Sequence, residues 1–288
     1  MENLKLFIQL TRLDKPIGYM LLFWPCLWGL IIAYNFENDL NLFFFYLILF
    51  FLGSVLMRSA GCIINDMADK NFDKKVKRTK NRPIASGKIS IFLALVYAII
   101  LCLLAFIVLI NFNSLTIILA IASMPLAFSY PLMKRFTYWP QLFLGITFNY
   151  GLLLAWISIN ESVSLPPILL YLGAIFWTLG YDTIYGYQDI RDDEIIGVKS
   201  TSIKFKKDPK SILNMFYGIT FLSLVSLGYL MKFNYIYFVL LIFPFIHFFS
   251  YQIRMLDIKN PSNCLNLFKS NNLLGLIIYL NLLVGKTL

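Results

Sequence analysis

Charge is scarce in these 288 residues: Asp, Glu, Lys and Arg together make up 14%, where a soluble domain carries about 25%. That scarcity excludes disordered, fibrous and soluble nucleic-acid-binding classes. Imidazole is scarcer still. His247 is the single histidine, which reads as a packed or interfacial side chain and leaves no set of imidazoles for a zinc or copper centre. The four cysteines, Cys26, Cys62, Cys102 and Cys264, stand in or beside apolar stretches without metal-ligand spacing and read as free core thiols. A glycine-rich phosphate loop is lacking too, because Ser86-Gly87-Lys88 has no upstream glycine spacing and no following Ser or Thr. The first ten residues show neither a cleavable signal pattern nor an Arg- and Ser-rich transit character.

Apolar residues fill the space that charge leaves, at 59% of the chain with 17% aromatics and a mean hydropathy of +0.72. A bilayer is crossed by about 20 apolar residues, and nine such stretches are expected at 16–34, 42–64, 89–110, 114–131, 138–158, 165–186, 211–231, 234–253 and 270–286. The fold class is therefore all-α, a polytopic membrane protein. Of the 25 Lys and Arg, all but Arg58, Lys232 and Lys286 fall before the first span or in the loops after spans two, four, six and eight. Basic residues gather on the cytoplasmic side, so an odd number of spans is expected, with the amino terminus inside.

Two of the inner loops repeat one design, an acidic cluster followed by a basic stretch. Residues 65–88 hold Asp66, Asp69 and Asp73 and then Lys74, Lys75, Lys77, Arg78, Lys80, Arg82 and Lys88. Residues 182–210 hold Asp182, Asp189, Asp192, Asp193 and Glu194 and then Lys199, Lys204, Lys206, Lys207 and Lys210. The spacing suggests a single domain over 1–288 built of two pseudo-repeats, about 1–135 and 136–288.

Each cluster lines up on a helix. Asn65, Asp69 and Asp73 are spaced i, i+4, i+8 and drift only about 80° around the axis. Asp182, Asp189 and Asp193 fall within about 40° of one another by the same geometry. Solvated acids neutralised by neighbouring lysines would explain one such loop. Two aligned clusters, each starting inside an apolar span, favour a site instead, because facing carboxylates at a membrane edge repel and need a cation between them. Oxygen ligands favour magnesium, which commonly bridges one or two carboxylates to substrate phosphates. A diphosphate held between the two rows by Mg2+ follows, with adjacent Lys and Arg taking up remaining phosphate charge. A transporter or channel is the competing class, but transporter sites lie near the bilayer midplane, whereas these acids sit at one face.

At these residues the chain resembles the UbiA superfamily of intramembrane prenyltransferases. NDMADKNFD at 65–73 and DIRDD at 189–193 match its two acidic motifs, and the match continues through LDKPIGYMLLFWPCLWGL at 13–30, LMRSAGCIIND at 56–66, KRTKNRPIASG at 77–87, YPLMKR at 130–135, YDTIYGYQDIRDD at 181–193, GVKST at 197–201 and FKSNNLLG at 268–275. The sequence departs from relatives at Ile190-Arg191, where further acids are common.

The resemblance implies nine helices around a central cavity that opens to the lipid bilayer, with Mg2+ as cofactor and a polyprenyl diphosphate donor. The branch it is most similar to implies 4-hydroxybenzoate as acceptor, alkylated ortho to its hydroxyl in ubiquinone biosynthesis; other aromatic acceptors of the superfamily are the alternative. Asn65, Asp69 and Asp73 would hold one metal, and Asp189 and Asp193 a second, with Asp182 assisting. Lys77, Arg78, Arg82 and Lys199 are candidate diphosphate ligands, and Arg135 and Arg58 candidate partners of the acceptor's carboxylate. Tyr181 and Tyr185 would shield an allyl cation. No nucleic-acid partner is expected, and protein partners are unreadable from the sequence. The expected location is a bacterial plasma membrane, with the amino terminus and both acidic loops cytoplasmic.

Overall fold

The computed structural model describes residues 2–37 and 39–287, and every regular element among them is helical. In a bilayer the backbone amides of an apolar stretch find partners only within their own helix. The helices are α1 (Glu2–Thr11), α2 (Ile17–Ala33), α3 (Leu40–Ala68), α4 (Lys70–Asp73), α5 (Ile91–Leu109), α6 (Ser114–Phe136), α7 (Pro140–Asn160), α8 (Leu165–Gly186), α9 (Ile190–Ile196), α10 (Thr201–Lys204), α11 (Pro209–Leu230), α12 (Tyr235–Ile253) and α13 (Pro261–Thr287). Among the described residues, 8 helices are long and apolar enough to cross a membrane; α2, apolar but only 17 residues long, supplies the remaining expected span.

Local chemistry sets the ends. Ser90, Asn113 and Asn234 accept hydrogen bonds from the backbone N–H of Leu93, Thr116 and Tyr237, capping otherwise orphaned donors at the starts of α5, α6 and α12. Pro140 and Pro209 occupy first turns, where no amide hydrogen is needed. In α12, Pro244 precedes a π-helical stretch from Ile246 to Ile253, as a removed backbone donor loosens the ladder.

Three spans outrun the sequence reading, and α6, ending at Phe136 rather than 131, is one. α3 runs to Ala68 rather than 64, which places Asn65 and Asp66 on the helix itself. α13 starts at Pro261 rather than 270. Its amino-terminal half is polar, so hydropathy hides it, yet Asn271 Oδ1 accepts from Trp177 Nε1 at 2.8 Å and Asn272 Oδ1 from Trp24 Nε1 at 2.9 Å. Those bonds satisfy groups that lipid could not.

α8 packs against α7, α11 and α13, and α2 against α3, α7 and α13. The Trp28 and Trp177 rings lie 4.9 Å apart where α2 and α8 meet. A side chain at Gly29 would come 2.2 Å from the carbonyl oxygen of Leu152, so glycine lets α2 and α7 approach backbone to backbone. This core presents the ends of α3, α6 and α8 together, and those ends carry the acidic and basic clusters.

Candidate active site

The first acidic row survives a break in the helix. α3 stops at Asp69, whose φ of −96° and ψ of 2° are not helical. Asp69 N–H still donates to the carbonyl of Asn65 at 2.9 Å, and Asp73 N–H to that of Asp69 at 2.8 Å. The i, i+4, i+8 alignment therefore persists into α4. Asp66, Asp69 and Asp73 are 1%, 2% and 6% exposed, which no isolated carboxylate tolerates. Each has found a cation. Asp69 pairs with Lys134 Nζ at 2.5 Å, Asp73 with Arg82 at 2.9 Å, and Asp66 with both Arg12 at 2.5 Å and Arg82 at 3.1 Å.

The second row starts at the end of α8 and continues into α9. Arg78, from the loop after the first row, reaches across to Asp189, with Nε 2.9 Å from both carboxylate oxygens and one terminal nitrogen 2.5 Å from Oδ2. Its other terminal nitrogen donates to Tyr185 Oη at 3.0 Å. The backbone N–H of Lys77 donates to Asp192 at 3.0 Å. Asp193 stands within electrostatic reach of Lys134 and Arg78, and Lys134 is bonded to Asp69. Lys134 thus relates to both rows, bonded to Asp69 and within electrostatic reach of Asp193, while Arg78 joins the loop after the first row to the second.

Burial raises the Asp69 carboxyl above its usual range, an effect that Lys134 opposes. Asp193 is pushed up to about 6 by burial and then by the charge of Asp189, against the pull of Lys134 and Arg78. Both shifts are set first by burial, which the neighbouring cations only partly offset.

Other expected site residues are placed variously. Asp182 lies on α8, within electrostatic reach of Arg58. The Arg58 guanidinium rests 5.3 Å from the Phe148 ring centroid, against Gly18, and its Nε has no partner among the described residues. Tyr181 is buried with its edge toward Trp177 at 5.1 Å, and Tyr185 packs on Phe268 at 4.5 Å. Three basic residues are not brought to the acids by their side chains. Lys77 is exposed, Lys199 Nζ donates to the Phe136 carbonyl at 3.2 Å, and Arg135 donates to the Ala68 carbonyl at 2.7 Å, at the end of α3.

Residues 22–276 match the UbiA prenyltransferase family. The chain belongs to that family. It is 43% identical over 287 residues to the mitochondrial 4-hydroxybenzoate polyprenyltransferase of Drosophila melanogaster, covering 99% of this chain and 72% of that one. It is 45% identical over 285 residues to the mitochondrial 4-hydroxybenzoate polyprenyltransferase of Homo sapiens, covering 97% and 75%. Its fold is that of a UbiA homolog from Archaeoglobus fulgidus solved with GPP and Mg2+, with a TM-score of 0.71 at 18% identity over 96% and 99% of the two chains. One expectation is overturned here. The sequence reading placed this UbiA chain in a bacterial plasma membrane, but the named relatives are mitochondrial.

The donor set of this UbiA chain suits a hard cation. It consists of carboxylate and amide oxygens, and Asp69 Oδ1 is buried with no hydrogen-bond partner among the described residues, an acceptor a cation could use. Among the described residues no three acids, cysteines or histidines converge closely enough to cage an ion alone. Magnesium takes one or two carboxylates and completes its shell with phosphate and water.

Sequence reasoning missed Lys134, Arg12 and the pairing role of Asp66. Lys134 sits beside Arg135 in the YPLMKR segment, and choosing between two adjacent bases needed the turn at Tyr130–Leu132, which aims one at Asp69 and the other at a helix end. Arg12 lies 54 residues from Asp66, with no local signal connecting them.

Proposed function

We propose that this chain transfers a polyprenyl group from polyprenyl diphosphate to the ring carbon ortho to the hydroxyl of 4-hydroxybenzoate, in ubiquinone biosynthesis, at the mitochondrial inner membrane. Identity above 40% across nearly the whole chain to enzymes of that name supports it. The observation that carries the mechanism is the pair of acidic rows, one from each half of the chain (1–135 and 136–288), with Lys134 bonded to Asp69 and within electrostatic reach of Asp193, and Arg78 reaching from the first loop to Asp189.

Asn65, Asp69 and Asp73 on one side, and Asp189 and Asp193 on the other, are the groups to hold Mg2+, with Asp182 deeper along α8. Bound there, magnesium supplies Lewis-acid withdrawal of charge from the departing diphosphate. Lys134, Arg78 and Arg82 already lie on the acids and need only turn to meet phosphate oxygens. Such contacts strengthen as charge develops on the leaving group, so they act mainly in the transition state. Tyr185 and Tyr181, both packed against Phe268, would offer π-density worth about 0.5–2 kcal/mol each to a passing cation. Arg58, inside the bundle with an unpartnered Nε, is best placed to receive the acceptor's carboxylate. Arg135, set on the end of α3, would act on the acceptor only after leaving the Ala68 carbonyl.

The test incubates membranes with labelled 4-hydroxybenzoate and a polyprenyl diphosphate, with and without EDTA. Labelled lipid product is expected, abolished by chelation, and reduced by about 10²-fold or more in Asp69→Ala and Asp189→Ala. Chelator-insensitive product, or full activity in both variants, would remove the metal-bridged mechanism.

A further inference from the structure

Asp66 is the least exposed acid of the first row, at 1%, yet it falls outside the i, i+4, i+8 register. Two guanidiniums converge on its Oδ1, Arg12 at 2.5 Å and Arg82 at 3.1 Å. The two are not equivalent. Arg82 also holds Asp73, a member of the aligned row, at 2.9 Å. Arg12 bonds no acid of the aligned rows, and its other contact is the Cys62 sulfur one turn back along α3, at 3.4 Å. Arg12 is also held in place by its backbone, because it closes α1 in the left-handed region at φ 57°, and α1 packs along α3. A non-glycine residue keeps that conformation only where its surroundings require it.

We propose that Arg12 is a positioning residue for diphosphate binding. By serving as the standing counter-ion of Asp66, it frees Arg82 to leave the acids for the phosphate oxygens. A buried carboxylate that loses its last cation is strongly destabilised. With Arg12 present, Arg82 can depart and Asp66 stays paired, while Asp73, its other partner, would be held by the magnesium bound beside it. Without Arg12, Arg82 becomes the sole partner of Asp66, and each departure strands a buried charge. The inference rests on the reading of Arg82 as a diphosphate ligand, and it concerns residues that do not themselves touch the donor.

The experiment is a double-mutant cycle on the full chain in detergent, reading the dissociation constant of inorganic diphosphate with magnesium by calorimetry, beside the KM values of donor and acceptor. Arg12→Gln should weaken diphosphate binding about tenfold, raise the donor KM and leave the acceptor KM unchanged. Arg12→Lys, which keeps the charge, should recover most of the loss. Asp66→Asn removes the charge to be stranded, so Arg12→Gln added to Asp66→Asn should cost nothing further. A tenfold loss that persists when Arg12→Gln is combined with Asp66→Asn overturns the proposal, pointing to direct phosphate contact by Arg12 or a general packing defect. If Arg12→Gln alone does not fold, the comparison of Asp66→Asn with the double variant still decides. Arg82→Gln separates the two levels. Unchanged diphosphate binding there overturns the reading of Arg82 and this proposal with it, whereas weakened binding alongside an unrescued Arg12→Gln overturns the proposal alone.

Discussion

Asp69 ends a membrane helix and holds Lys134 with the same side chain, leaving its second oxygen buried with no partner among the described residues. The acids were legible because spacing alone aligns them; their basic partners were not. Arg78 to Asp189 spans 111 residues and Lys134 to Asp69 spans 65, and the positive-inside bias that places lysines in these loops hides which of them turn inward. Lys134→Ala is expected to lower kcat/KM for the donor about 10- to 100-fold while the acceptor KM holds, measured by steady-state kinetics at saturating second substrate. An unchanged donor constant would return Lys134 to a purely structural pairing. Arg58→Ala should raise the acceptor KM about tenfold with the donor KM held, and Arg135→Ala should do so less. Equal effects on both substrates in Arg58→Ala would assign that side chain to packing instead.

At the scale of elements, periodicity and length located the apolar helices well, since each had to be apolar over a bilayer's width. Boundaries failed where polar residues extend a helix beyond its apolar run. α13 is the clear case, its start at Pro261 concealed by Ser262, Asn263, Asn266 and Lys269. Close helix contacts were invisible for a related reason, because a glycine in an apolar run carries no sign of what faces it. Gly29 faces backbone. Gly29→Ala should push α2 from α7 and cost about 1–3 kcal/mol of stability, read as a lowered melting temperature in detergent. Gly53→Ala is the control, since a side chain there would meet nothing within 4 Å. Equal melting of the two variants would show that α2 and α7 adjust freely.

Across the whole molecule, the alternation of spans places both acidic rows on one side of the membrane, and the pairing of Arg78 with Asp189 requires it. A membrane-impermeant thiol reagent should therefore label Lys77→Cys and Lys232→Cys from opposite faces of sealed vesicles. Labelling of both from one face would refute the span order. The tryptophan-held asparagines of α13 carry a further meaning for how the chain is made. Released into lipid by itself, α13 would carry the Asn271 and Asn272 amides without their indole partners. The first and sixth spans must already stand nearby, offering their indole donors, before it can settle. Biogenesis of the carboxyl-terminal anchor is thus cooperative, and lesions in Trp24 or Trp177 should surface first as failed insertion and rapid turnover of newly synthesised chains.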